Sequence, residues 1–284
     1  MTNKTINKLR NILYYFLNLS LIKSNKRRKE FELKKRLISM NLDLTNQYST
    51  MKIDMETPYF SNQIFGMHAF QTSLAMKAID LLGKRDIVNV VDIGDSSGHH
   101  MLYLKEILKE EKYKLNTLSV NLDPIAIEKI KSKKLDAVLC RAEELHLHQD
   151  GMEADIFLSY EMLEHLINPI GFLHEMAEKS KCEYFAITIP YLAKSRVGMQ
   201  QIRHSVKGDL TAERLHIFEL SPEDWKYIFR FSGWKIEFED VYKQYPTTFP
   251  FNLTKKLWRK YDFEGFYGVI LSKDNIISDR YKDW

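Results

Sequence analysis

A chain of 284 residues with 44% hydrophobic side chains can bury one large core, or a core with a substantial appendage. Its formal charge of +4 is too mild to argue for nucleic acid, and no apolar run reaches the ~20 residues a bilayer-spanning helix needs. The two cysteines, Cys140 and Cys182, stand inside apolar runs, which predicts buried, reduced thiols and a cytoplasmic setting.

Residues 1–60 read as a basic helical extension. In "INKLRNILYYFLNLSLIKSNKRRKEFELKKRL" the residues Ile6, Leu9, Ile12, Leu13, Phe16 and Leu17 recur at helical spacing between basic side chains. "KSNKRRK" follows where a secretory signal would carry small residues, so the stretch does not read as one. Three roles are open to it. It can pack on the core or on a second subunit, which the pattern favours. It can lie at an anionic membrane surface, a peripheral contact at the inner face. Or "KSNKRRK" can bind nucleic acid, which the remaining chain does not support.

Residues 61–284 read as one α/β domain. "SNQIFGMHAFQTSLAMKAIDLLG" is a helix closed by Gly83. "VNVVDIG" is a first strand, followed by the helix "HHMLYLKEILKEE". "NTLSVNLD" and "PIAIEKIKSKK" make a second strand and helix. "DAVLCRA" is a third strand, and "ADIFLSYEML" is a fourth with its exit. "NPIGFLHEMAEKS" is a helix with Asn168 as cap before Pro169, and "EYFAITIPY" is a fifth strand. Alternation of this kind predicts a parallel sheet covered on both faces.

"VVDIGDSSGHH", Val90 to His100, places an aspartate late in the first strand and two glycines in the turn after it. Ligands in such sheets bind at the carboxyl ends of strands, where strand order reverses. Gly94 and Gly98 allow backbone conformations and close approaches closed to other residues. A lone glycine pair is weak evidence, and an ordinary strand-turn-helix fits it equally well.

Taken in order, "VVDIGDSSG", "SVNLDP" and "LSYEMLEHLINPIGFLHEM" resemble class I methyltransferases that use S-adenosylmethionine, most closely those with small-molecule substrates. "LHIFELSPEDWKYIFRFSGWKIE" is similar to the family's late helix and sixth strand, and "FEGFYGVILSK" to its seventh, antiparallel beside the fifth. The resemblance spans roughly residues 65–275. It implies a Rossmann-like sheet of seven mainly parallel strands, with helices on both faces. It also implies roles for single residues. Gly94, Asp95, Ser96 and Gly98 would line the methionine moiety of the cofactor, with Asp92 near its amino group. Asn121, or Asp123 two residues on, would take the ribose. Ala142 and Glu143 would lie beside the adenine, while Tyr160 and Glu161 would face cofactor and substrate. Three positions depart from the family pattern. Ser96 replaces the central glycine, Asn121 replaces the ribose-binding acid, and Arg141 replaces an adenine-binding aspartate. A guanidinium cannot accept the adenine amino proton, so a backbone carbonyl must do so.

Transfer of an activated methyl group requires a nucleophile held in line, water excluded, and a proton taken up if the acceptor is a hydroxyl. Imidazole suits that proton. The candidates are His165, His204 and His216, of which His165 and His216 are assigned as catalytic. Glu161, Glu164 and His165, with His204 or His216, also permit a metal, as in some methyltransferases with this pattern; the assignment adopted contains none. "RHSVKGDLTAERLH" suits a substrate-facing lid, in which Arg203, Lys207 and Arg214 could meet an acidic or phosphorylated group, or else a solvated loop. The expected activity is methyl transfer to oxygen, or less readily nitrogen, of a small metabolite or saccharide. The alternatives are a non-catalytic binding protein of the same fold and an RNA methyltransferase. Oligomeric state is left open.

Overall fold

The computed structural model describes residues 3–109, 113–148, 152–197, 211–244, 253 and 264–280. Seven strands form one sheet: β1 (Ile87–Ile93), β2 (Lys114–Asn121), β3 (Asp136–Leu139), β4 (Ile156–Tyr160), β5 (Tyr184–Tyr191), β8 (Trp234–Lys243) and β9 (Gly265–Lys273). The order across the sheet is β3-β2-β1-β4-β5-β9-β8. Pairings from β3 through β5 are parallel, and β9 runs antiparallel between β5 and β8. Strand order reverses between β1 and β4. A ribbon of β6 (Arg196–Val197) and β7 (Phe218–Glu219) stands apart.

The strands are apolar in both directions because both faces are covered. In β1, Val91 and Ile93 join one core and Val88 and Val90 the other. In β5, Phe185, Ile187 and Ile189 face the first core and Ala186 the second. The first core is closed by α6 (Pro169–Lys179) and α7 (Pro222–Phe231), which contribute Phe172, Leu173, Trp225 and Phe229. Trp234 Nε1 donates to the Leu173 carbonyl at 2.9 Å, tying β8 to α6. The second core is closed by α3 (Pro58–Leu82), α4 (His99–Ile107) and α5 (Pro124–Ser132). Each large apolar side chain buried this way stabilises the fold by about 1.5–3 kcal/mol.

Three helices begin with a capping side chain followed by proline. Asp123 accepts from Ile125 N, Asn168 from Gly171 N, and Ser221 from Asp224 N. Proline at the first helical position needs no amide donor, and the cap satisfies one of the orphans that follow.

The N-terminal residues are integrated with this body. The helix α1 (Asn3–Asn25) packs on α3 through Tyr14, Leu17 and Leu21 against Tyr59 and Phe60. Of the apolar residues expected on one face of α1, Leu17 is buried, while Leu9, Ile12, Leu13 and Phe16 are about half exposed; the Ile6 side chain lies outside the described residues. The segment α2 (Phe31–Ser39) places Leu37, and the turn after it Leu44, in the second core. Arg28, part of the basic run, lies over the rings of Phe70 and Tyr242 and donates to the Val241 carbonyl at 2.9 Å. The boundary expected at residue 60 therefore falls inside α3, and side chains on both sides of it share one core.

Candidate active site

A cavity of about 620 Å³ opens at the carboxyl ends of β1, β2, β3 and β4, at the point of strand reversal. Gly94, Asp95, Ser96, Asn121, Asp123, Ala142, Glu143, Tyr160, Glu161, Asp92 and His165 all line it. Of the expected residues, Gly98 and His216 do not.

The turn after β1 is held by one carboxylate. Asp95 Oδ1 accepts from the amides of Ser97 at 3.0 Å and Gly98 at 2.6 Å, and Oδ2 accepts from Ser119 Oγ at 2.7 Å. Gly94 has φ of 94° and Gly98 of 79°, both in the left-handed region that favours glycine. A Cβ on Gly98 would lie 2.7 Å from Leu135 Cδ1. Gly98 thus packs closely on Leu135 and, at 3.6 Å from the same Cβ position, on Ile130 of α5. Asn121 is also occupied by the fold. Its Nδ2 donates to the Asp95 carbonyl at 2.9 Å, and its Oδ1 accepts from Asp123 N at 2.8 Å. Asp123 in turn caps α5 with Oδ1. The chain thus spends Asp95 and Asn121 on the shape of the loop, and Asp123 is the carboxylate at the tip of β2.

Beneath the turn runs a buried polar chain. Gln71 Nε2 donates to Thr188 Oγ1 at 3.1 Å, which turns its Oε1 toward His100 Nε2 at 3.0 Å. That assignment puts the His100 proton on Nε2 and leaves Nδ1 facing Asp92 Oδ2 at 3.3 Å. Burial, with the nearby Asp95 charge, pushes the Asp92 carboxyl up to about 6 despite the opposing His100. Tyr160 donates its hydroxyl to the Gln71 carbonyl at 2.9 Å, and its ring meets His100 edge-on at 4.9 Å. Gln71 and His100 went unassigned in the sequence. His100 was visible as the second histidine after the glycine turn, but Gln71 comes from a helix that carries no motif.

Two segments form the cavity's walls. Ala142 and Glu143 open a 3-10 turn at Ala142–Leu147, and the Arg141 side chain is half exposed, 3.8 Å from Glu143. Residues 47–50 also line the cavity and are strapped down by two side chains. Glu213 accepts from the amides of Ser49 at 2.8 Å and Thr50 at 2.7 Å, and from the Thr50 hydroxyl. Lys129 Nζ donates to the Tyr48 carbonyl at 2.9 Å. Burial, then the carboxylates of Glu161, Glu213 and Glu164, keep the Tyr48 phenol protonated far above its ordinary range.

At the exit of β4 lies a cluster of acids and imidazoles. Glu161 has φ of 54°, a left-handed backbone uncommon outside glycine, and its amide donates to the Thr188 carbonyl at 2.9 Å. Glu161 Oε1 and both carboxylate oxygens of Glu164 are buried with no hydrogen-bond partner among the described residues. Burial and the neighbouring Glu164 raise the Glu161 carboxyl well above the usual range. His165 donates from Nδ1 to the Leu215 carbonyl at 2.8 Å, which leaves Nε2 unprotonated, 3.9 Å from Glu164 Oε1. Burial lowers its basicity, against the pull of Glu164. The His216 ring stands edge-on to His165 with centroids 4.7 Å apart, and its Nδ1 donates to Glu219 Oε1 at 2.8 Å. Burial pushes Glu219 up, but hydrogen bonds from His216 and Arg196 outweigh it and hold the carboxyl below its ordinary value. Ligand-capable atoms of Glu164, His165 and His216 lie within 4.8 Å of one another. His204, Arg203, Lys207 and the Arg214 side chain lie outside the described residues.

No protein-family model matches this sequence, and no curated protein matches it. Solved structures do match the fold. One is a Burkholderia thailandensis 1,6-didemethyltoxoflavin-N1-methyltransferase with bound 1,6-didemethyltoxoflavin and S-adenosylhomocysteine, 16% identical, with a TM-score of 0.51 over 78% of this chain and 86% of that one. Another, from Haloferax volcanii, belongs to a complex between the Trm112 methyltransferase activator and a protein described as a methyltransferase. It is 15% identical, with a TM-score of 0.50 over 82% of this chain and 98% of that one. A third, from Galdieria sulphuraria, is described as a sarcosine dimethylglycine methyltransferase: 14% identical, TM-score 0.50, over 73% of this chain and 85% of that one. Together with the strand order, these matches give the chain the class I methyltransferase fold.

Proposed function

We propose that the protein transfers a methyl group from S-adenosylmethionine to an oxygen, or less readily a nitrogen, of a small metabolite or saccharide. The observation that carries this reading is the cavity at the reversal of strand order, floored by the left-handed turn at Gly94 and walled by acids from β1, β2 and β4. Its volume suits a nucleoside-sized cofactor with a small acceptor. The residues fit such a cofactor. Gly94 and Ser96 would hold its methionine end, with Asp92 beneath to receive the ammonium. Asp123 would take a ribose hydroxyl with the oxygen not used for capping, and Ala142 and Glu143 would flank the adenine. Asp95 and Asn121 act by holding the loop in shape.

When bound, the cofactor supplies an electrophilic methyl group on sulfur. The chain's task is to position the acceptor and take its proton. His165 does the latter at Nε2, because its Nδ1 proton is committed to the Leu215 carbonyl. His216, outside the cavity lining, acts by bracing His165. The strap at residues 47–50 adds to the cavity lining, which suits a small acceptor. Transfer of labelled methyl groups to small molecules that co-purify with the protein tests this reading. A His165→Gln protein that transfers as fast as wild type overturns the role of the base.

A second reading is favoured by the three carboxylate oxygens of Glu161 and Glu164 that have no hydrogen-bond partner among the described residues. Buried, unpaired carboxylates are costly, and a divalent cation held by Glu161, Glu164, His165 and His216 relieves that cost. Anchoring of both imidazoles through Nδ1 matches the way histidines are oriented toward a metal. Metal analysis of the purified protein, and activity before and after chelation, separate the two readings.

A further inference from the structure

We infer that α1 docks the protein on an anionic membrane surface, using the exposed apolar side chains between Leu9 and Leu19. This inference stands independently of the methyl-transfer reading.

The apolar stripe of α1 is buried on α3 at its C-terminal end, through Leu17 and Leu21. Toward the N-terminus, Leu9, Ile12, Leu13, Phe16 and Leu19 continue it without cover from α3. These five are each between 44% and 51% exposed, and Tyr15 beside them is 61% exposed. A contiguous exposed apolar stripe of this kind marks an interaction surface rather than scattered surface residues.

The charge around the stripe selects the partner. Residues 1–29 contain Lys4, Lys8, Arg10, Lys23, Lys26, Arg27, Arg28 and Lys29, and no Asp or Glu. The chain's remaining residues carry more acid than base, so this segment supplies the whole positive excess. Arg28 and Lys29 pair with Glu30 and Asp240. Lys8, Arg10, Lys23, Lys26 and Arg27 are exposed and form no salt bridge with a described residue. A second copy of the chain would set this cationic stretch against itself. A nucleic acid would leave the leucines in water. An anionic bilayer accepts both the cations at its headgroups and the apolar stripe at the acyl boundary. No helix among the described residues is long and apolar enough to cross a membrane, so the helix lies in the interface plane.

The test is sedimentation of the full-length protein with vesicles of phosphatidylcholine, alone or with one third phosphatidylglycerol. The expected result is binding to the anionic vesicles at least about tenfold tighter than to the neutral ones, weakened by added salt. Leu13→Glu with Phe16→Glu should weaken anionic binding about a hundredfold while leaving the melting temperature unchanged, since both side chains are exposed. Leu9→Ser with Ile12→Ser repeats the test at the other end of the stripe, and Lys8→Glu with Lys23→Glu tests the charge. Absence of binding to either vesicle overturns the inference. So does anionic binding indifferent to both apolar pairs, or a wild-type dimer that those pairs dissociate.

Discussion

The rings of His165 and His216 meet edge to face, 4.7 Å between centroids, and each is anchored through Nδ1: one on the Leu215 carbonyl, the other on the Glu219 carboxylate. Only His165 reaches the cavity. The first prediction is therefore a split between the two. His165→Gln should lower kcat by about a hundredfold or more, the range of a lost general base, with S-adenosylhomocysteine affinity unchanged. His216→Gln should cost about tenfold in kcat, because it acts through the ring it braces. Steady-state kinetics with parallel calorimetry measures both.

Glu164 is fully buried and its two oxygens have no partner among the described residues. If a divalent cation completes the cluster, manganese or magnesium should raise the wild-type melting temperature by several degrees and leave that of Glu164→Gln unmoved. In chelator, Glu164→Gln should be the more stable protein, because a neutral amide costs less to bury than a lone carboxylate. A wild-type melting curve indifferent to metal returns the cluster to proton transfer alone.

Asp92 ties stability to pH. Its carboxyl is raised from 3.8 to about 6, burial being the main cause. The folded state therefore holds the proton more tightly than the unfolded one. Stability is lost as pH rises from about 4 through 6, and the penalty is complete above that, at about 3 kcal/mol. Asp92→Asn removes the penalty. Relative to wild type, the variant should gain about that amount between pH 4 and pH 7, read from denaturant unfolding at both values. A stability difference independent of pH contradicts the assignment.

Glu213 holds the strap by the amides of Ser49 and Thr50. Glu213→Ala frees the strap without touching the turn at Gly94. The expected result is a KM for the acceptor raised about tenfold, with melting temperature nearly unchanged because the contacts are partly exposed. An unchanged KM would place the acceptor away from this wall.

The sheet was legible because its signals are local. Runs such as "YFAITI" need cover on both faces, and Asn168-Pro169 writes a helix start directly into the chain. The antiparallel strand beside β5 was legible only through family resemblance, since nothing in "FEGFYGVILSK" states its direction. The site was read less completely. Asp95 and Gly98 stand in the motif after β1 and were expected among the cofactor contacts. The structure uses Asp95 to fold the turn and Gly98 to pack on Leu135. Gln71, Tyr48 and Glu213 were not legible, because they reach the cavity from segments far away in the chain with no spacing to mark them. The periodicity of α1 marked its apolar residues, but it does not say that Leu17 is buried while Leu13, one turn before it, is half exposed.

The central claim is that the turn at Gly94 and the strand tips around it cradle a sulfur nucleoside. Calorimetric titration of the purified protein with S-adenosylhomocysteine tests it most directly. The account predicts one site of micromolar affinity, weakened at least about tenfold by Gly94→Val, whose side chain meets Met162 and cannot readily adopt the φ of 94°. No heat of binding at millimolar ligand, from protein with a normal melting transition, would contradict it.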